Sequence, residues 1–181
     1  MQPVFDGHND TLTRLFAQGQ SGISAFFENA DGQVDLPRAK AGGMAGGIFA
    51  ICTPPPESSP ERDMYYGLKL TCNGYDVKAR SKLDQDYAAG FTDSVLDFAY
   101  RLEASSRGQA KIIRGYDDLR ECVEKNVLAM MVHFEGAEAI LPDLGNLENY
   151  YSKGLRLLGL VWSRPNAFGC GVPFRHPSTP D

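Results

Sequence analysis

His8 and Asp10 are the residues of this chain whose types and spacing most directly invite chemistry. They close the stretch Val4-Phe5-Asp6-Gly7-His8-Asn9-Asp10. A strand has a side-chain period of two, so the imidazole and the carboxylate project from one face, roughly 7 Å apart along the chain. That is within reach of a single ion, and an imidazole with a carboxylate suits zinc or a similar first-row metal. Gly7 keeps the backbone lean beside them. The alternative is an ordinary hydrogen-bonded pair at a strand end. Glu135 is the second such residue, ending the apolar run Val127 to Glu135 just before Gly136. A carboxylate there must pair, bind a metal or lose its charge, because burying it bare is costly. Arg156 is the candidate for pairing; beside His8 and Asp10, Glu135 is instead the natural third ligand, and its two oxygens can bridge two metals.

These residues need elements to hold them. Thr11 to Ala17 reads as a short helix with Leu12, Leu15 and Phe16 on one side. Gly19 to Gly32 reads as a loop, and Asp35-Leu36-Pro37 as a capped helix start stopped at Gly42-Gly43. Met44 to Thr53 is a continuous apolar run, as in strands buried on both faces, ended by Pro54-Pro55-Pro56. From Glu61, the spacing of Met64, Tyr65, Leu68, Cys72, Tyr75 and Ala79 predicts a long helix. Thr92 is placed to cap another that turns Val95, Leu96, Ala99 and Leu102 inward. Ala110 to Arg114 reads as a strand, Tyr116 to Glu124 as a helix, Asn146 as a helix start, and Leu155 to Trp162 as a buried strand. Strands alternating with helices predict a parallel sheet of about four βα units. In such folds active sites gather at the C-terminal ends of strands, where His8, Asp10, Glu135 and Trp162 all fall.

The bulk properties narrow the function. The 181 residues suffice for one domain, and 43% apolar with 23% charged residues is ordinary globular composition. A net charge of -5 gives no basic footprint, which argues against nucleic acid as a partner. No apolar run approaches a membrane span and the start lacks signal-peptide character, so a cytoplasmic protein is expected. The four widely spaced cysteines, Cys52, Cys72, Cys122 and Cys170, read as buried reduced thiols.

Taken in order, Phe5-Asp6-Gly7-His8-Asn9-Asp10, Val34-Asp35-Leu36-Pro37-Arg38, Gly43-Met44-Ala45-Gly46-Gly47, His133-Phe134-Glu135-Gly136-Ala137-Glu138 and Gly154-Leu155-Arg156 resemble the renal (membrane) dipeptidase family of zinc peptidases. The resemblance covers essentially the whole chain. It implies a (β/α)8 barrel with two zinc ions, His8 and Asp10 binding the first metal and Glu135 bridging both. It further implies hydrolysis of dipeptides, often with a D-residue at the carboxyl end, by a metal-activated bridging hydroxide. Hydrolysis of other small amides such as N-acyl amino acids, and a non-catalytic half-barrel that self-associates, are the alternatives.

Two departures qualify the match. The family's second-metal histidines, its proton-transfer aspartate and its substrate-binding arginine come later than Asp181, so the second zinc site is incomplete here. His133 reads as a structural or supporting residue and His176 as a solvated one. Trp162 stands where mammalian members place a substrate-contacting histidine; indole accepts no hydrogen bond, so it is expected to wall a substrate pocket or to lie in the core. A full barrel of this type needs about 250 residues. The expectation is therefore the N-terminal half of a dipeptidase-like barrel, a fragment impaired on its own, with a Gly/Pro-rich loop over 163–181 and either a missing C-terminal half or a second copy as its partner.

Overall fold

The computed structural model describes residues 2–171 except 29, 30, 64 and 163, so the readings of His176 and of 172–181 lie outside the described residues. Its centre is a five-stranded parallel sheet. Strand β1 (Val4–Asn9) pairs with β2 (Met44–Ile51), Phe5 opposite Gly46. Beyond β2 lies β6 (Leu128–Glu135), in register from Gly46 opposite Ala129 to Ile51 opposite Phe134. The other edge of β6 is shared. Its first residues pair with β5 (Ala110–Ile112), and its last, from Val132 to Glu135, pair with β7 (Leu155–Gly159). Gly46 allows the crowding at the centre: a Cβ there would stand 2.7 Å from the Ala129 side chain and 2.8 Å from the Phe5 ring.

Helices α1 (Thr11–Phe16), α3 (Leu36–Ala41), α4 (Gln85–Ser105), α5 (Tyr116–Lys125) and α6 (Leu147–Ser152) stand where the sequence leads one to expect helices. Leu12 and Leu15 of α1, Phe98 and Leu102 of α4, and Tyr150 of α6 are buried with Phe49 and Phe134 of the sheet. Removing such side chains from water, at about 25 cal/mol per Å², is what ties the helices to the strands. Asp35 caps α3: its carboxylate accepts from the Arg38 N–H at 2.8 Å and from Arg38 Nε at 2.7 Å. Asp10 holds the equivalent position before α1 but makes no side-chain cap hydrogen bond. Its carboxylate is thus turned elsewhere.

Several expectations are corrected. The supposed loop Gly19 to Gly32 contains α2 (Gln20–Glu28), with Phe26 fully buried. Gly22 is there for close packing rather than for a turn, since a Cβ would fall 2.0 Å from the Leu15 carbonyl oxygen. The supposed long helix from Glu61 is a short 3-10 turn, Pro60–Arg62, followed by an antiparallel hairpin, β3 (Leu68–Thr71) and β4 (Gly74–Val77). Gly67 and Gly74, at φ of +74° and +128°, adopt conformations a helix interior forbids. Tyr65, Leu68 and Tyr75 of that presumed core stripe are exposed. Helix α4 is capped by Asp84, whose carboxylate accepts from Tyr87 N–H; Thr92 lies buried within it beside Thr53. Strand β7 ends at Gly159, short of Trp162. All four cysteines are free, but only Cys122 is buried; Cys52 and Cys170 are partly exposed and Cys72 is exposed. Among the described residues no helix is long and apolar enough to cross a membrane.

Candidate metal centre

Strand β1 delivers His8 at its C-terminal end, and the chain turns into α1 at Asp10. Two strands away, Glu135 is the last residue of β6. The parallel register brings these ends together. His8 Nε2 lies 3.6 Å from Asp10 Oδ1 and 3.6 Å from Glu135 Oε2. One donor atom from each of the three falls within 4.8 Å of the others. Donors bound to one zinc at 2.0–2.2 Å stand about 3.4 Å apart in a tetrahedral arrangement, so this set fits an ion with little adjustment.

Glu135 is the most enclosed of the three, its side chain 20% exposed against 42% for His8 and 66% for Asp10. Burial pushes its carboxyl above the ordinary range; His8 opposes this and Asp10 adds to it. The expected partner Arg156 does not reach it. That guanidinium donates to the carbonyls of Arg114, Tyr151 and Leu155 and lies over the Tyr151 ring. The sharp exit after Glu135 depends on Gly136 at φ +106°, where a Cβ would stand 2.2 Å from Oε2 of the folded-back Glu138. His133, two residues earlier on the same face of β6, packs edge-on against His8 with ring centroids 5.7 Å apart. Burial, and then His8, hold its imidazole below the usual value, and its buried Nδ1 has no hydrogen-bond partner. It is not among the converging donors.

The cluster opens into a cavity of about 530 Å³ lined by Asp10, Glu135, Trp162, Cys52, Phe91 and Arg14, among others. Trp162 therefore stands in the cavity wall with its side chain half exposed, not in the core. Sequence reasoning passed over Cys52 and Arg14. Cys52 follows directly on β2, the same strand-end logic that picked out Glu135. Arg14 follows Asp10 by one helical turn, a spacing that places both on one face of α1.

The model of the membrane dipeptidase family, peptidase family M19, matches residues 1–176. The chain belongs to this family. Among relatives, a protein of Acinetobacter calcoaceticus known only as an uncharacterized protein in the PQQ-III 3'region is 36% identical over 181 residues, 99% of this chain and 55% of its own. A metallo peptidase from Rhodobacter sphaeroides, solved with a phosphinate mimic of the dipeptide L-Ala-D-Ala, is 37% identical with a TM-score of 0.81. That match covers 99% of this chain and 51% of the peptidase. The M19 dipeptidase AC, also 37% identical, superposes with a TM-score of 0.77 over 99% of this chain and 48% of its own. The chain thus spans about half the length of the M19 relatives it matches, and its α/β layout with a parallel sheet corresponds to that half.

Proposed function

We propose that this chain contributes the His8–Asp10–Glu135 cluster, half of a two-zinc site, to a metal-dependent peptidase that hydrolyses dipeptides. The observation that carries the reading is the convergence of one imidazole and two carboxylates from two strand ends, with donors 3.6 Å apart. The family and the dipeptide mimic held by the Rhodobacter relative support it. A divalent ion held there would supply Lewis-acid polarisation of the scissile carbonyl and a nucleophilic water at neutral pH. His8 would hold such an ion through a ring nitrogen, and Asp10 and Glu135 through carboxylate oxygens. Trp162 and Phe91 flank the cavity and screen the reacting bond from bulk water. Trp162 neither accepts a hydrogen bond nor takes up a proton, so its part is to shape the pocket. The site stands in the N-terminal half of a barrel, and residues outside the chain complete the second ion's shell and the proton transfer.

Two measurements test this. Metal analysis of the purified chain with added zinc is expected to give one tightly held ion per chain, lost in Asp10→Asn and in Glu135→Gln. Hydrolysis of L-Ala-D-Ala by the chain alone is expected to be weak. Zinc retained in both variants would sink the proposal; rapid turnover abolished by His8→Ala would show that the chain needs no further half.

A further inference from the structure

Arg14 is a side chain of the cavity that the hydrolytic reading leaves unused. Its backbone N–H donates to the Asp10 carbonyl at 3.0 Å, so α1 carries a carboxylate of the cluster and, one turn on, a guanidinium. The cavity's other arginine, Arg62, is engaged by Glu57 at 3.4 Å. Arg14 is not: among the described residues it forms no ion pair, and its buried Nη1 has no hydrogen-bond partner. The space for the guanidinium exists because residue 32 is glycine at φ +108°, where a Cβ would stand 1.8 Å from Nη1 and 2.0 Å from Cζ. Phe16, Phe91 and Pro54 supply apolar surroundings along the same wall. There a charge-assisted hydrogen bond is stronger than in water.

We propose that Arg14 is a specificity-determining residue that receives the carboxylate of an acidic side chain, so that the favoured substrates are dipeptides containing Asp or Glu. The inference rests on the dipeptidase reading. With the scissile bond held at the cluster, a substrate side chain that reaches along α1 would meet Arg14 in the cavity wall. The 530 Å³ of the cavity falls within the roughly 300–1,000 Å³ usual for small-ligand pockets. A guanidinium fork matches a carboxylate in two parallel hydrogen bonds, a geometry a neutral amide cannot reproduce.

The test uses non-hydrolysable phosphinate mimics in matched pairs, Ala-Glu with Ala-Gln and Glu-Ala with Gln-Ala, titrated calorimetrically into the zinc-loaded chain. In one pair the acid is expected to bind about tenfold or more tightly than its amide, since hydrogen bonds to charged groups are worth that much; which pair responds identifies the residue recognised. In Arg14→Gln the acid-to-amide ratio falls to about one, while Arg14→Lys keeps part of it, and melting curves verify that both variants are folded. Equal binding of acid and amide by the native chain overturns the proposal, as does a ratio preserved in Arg14→Gln. An equal loss for acid and amide in that variant, the sign of a contact to the terminal carboxylate, overturns it too, and so does failure of all four mimics to bind. Zinc content in Asp10→Asn judges the dipeptidase reading separately.

Discussion

The two ends of β6 hold charge in opposite ways. Beside its first residues, Lys111 of β5 sits between Asp118 and Glu121 of α5, at 2.7 and 2.8 Å, and Glu121 also holds Lys125 at 2.7 Å. Asp118 and Glu121 each have a cation. Hydrogen bonds from Lys111 and Lys125 draw Glu121 down to about 2, and those from Lys111 and the Arg114 backbone lower Asp118. At the last residue, Glu135 and Asp10 share, among the described residues, only the His8 imidazole as an ion-pair partner, and burial drives Glu135 upward instead. Both ends open on a cavity, about 440 Å³ beside Lys111 and about 530 Å³ beside Glu135. Size does not separate them; charge balance does. The network at the first end is complete within the chain and serves to fasten α5 to the sheet. The cluster at the other end gathers negative charge around a weak base, an arrangement that gains from a cation and costs stability without one.

The largest expected difference is therefore in metal affinity. Asp10→Asn or Glu135→Gln should weaken zinc binding by a hundredfold or more, since even the supporting partners of ligands are worth about 10–100-fold. Lys111→Met at the opposite end should leave it unchanged. Competition with a chromophoric chelator measures both, and an equal loss in Lys111→Met would erase the distinction between the ends. Stability should move the other way. In the metal-free chain Glu135→Gln removes a poorly compensated carboxylate and should raise stability by roughly 0.5–1 kcal/mol, as functional residues often do when neutralised. Lys111→Met should lower it by less than about 1 kcal/mol, because that pair is largely solvated. Urea titrations of the metal-free variants decide the signs.

Acidity sharpens the contrast. Glu121 is depressed from 4.5 to about 2 in the folded chain, so its ion pairs stabilise above pH 4.5 and that contribution fades as pH falls from 4.5 toward 2. Glu135 is raised, so the folded chain keeps its proton longer than the unfolded chain does. Its contribution is fully present below pH 4.5 and is lost as pH rises through the folded value. The deficit of Glu121→Gln relative to the native chain should thus shrink between pH 4.5 and 2. The advantage of Glu135→Gln should grow as pH rises from 4.5. Parallel slopes in paired urea melts would contradict both assignments.

How far the sequence disclosed this depends on which signal each segment carries. The continuous apolar runs gave β2 and β6, and the Asp35-Leu36-Pro37 cap gave α3, because burial and capping are local patterns. The hairpin at Leu68–Val77 escaped because Leu68, Cys72 and Tyr75 recur at helical spacing although their apolar side chains face solvent. Helix α2 escaped because Gly22 looks like a breaker until Leu15 is seen pressed against it. In the cluster, the types and strand-end positions of His8, Asp10 and Glu135 were visible, but not the strand order and register that bring the ends of β1 and β6 together across β2. Arg14 and Cys52 carry no motif and become noticeable only through the shared cavity.

The smallest effect belongs to two thiols, one at each end. Cys122, buried beside Lys111, and Cys52, beside Glu135, are both held above the usual thiol value, chiefly by burial. For Cys52 the rise reaches about 12, and Glu135, Glu138 and Asp10 add to it by charge. At pH 8 roughly one Cys52 in ten thousand is then thiolate, and since the thiolate is the nucleophile, alkylation is slow. A cation bound by Glu135 and Asp10 cancels part of their repulsion and leaves the burial in place. Zinc should therefore speed alkylation of Cys52 by a small factor, about two- to fivefold. Cys122, at the other end of β6 and answering to Lys111, Asp118 and Glu121, should not respond. Mass spectrometry of iodoacetamide-treated chain, with exposed Cys72 as the internal standard, reads both sites at once. A zinc response at Cys122, or none at Cys52, would mean that the ion is not held between Glu135 and Asp10.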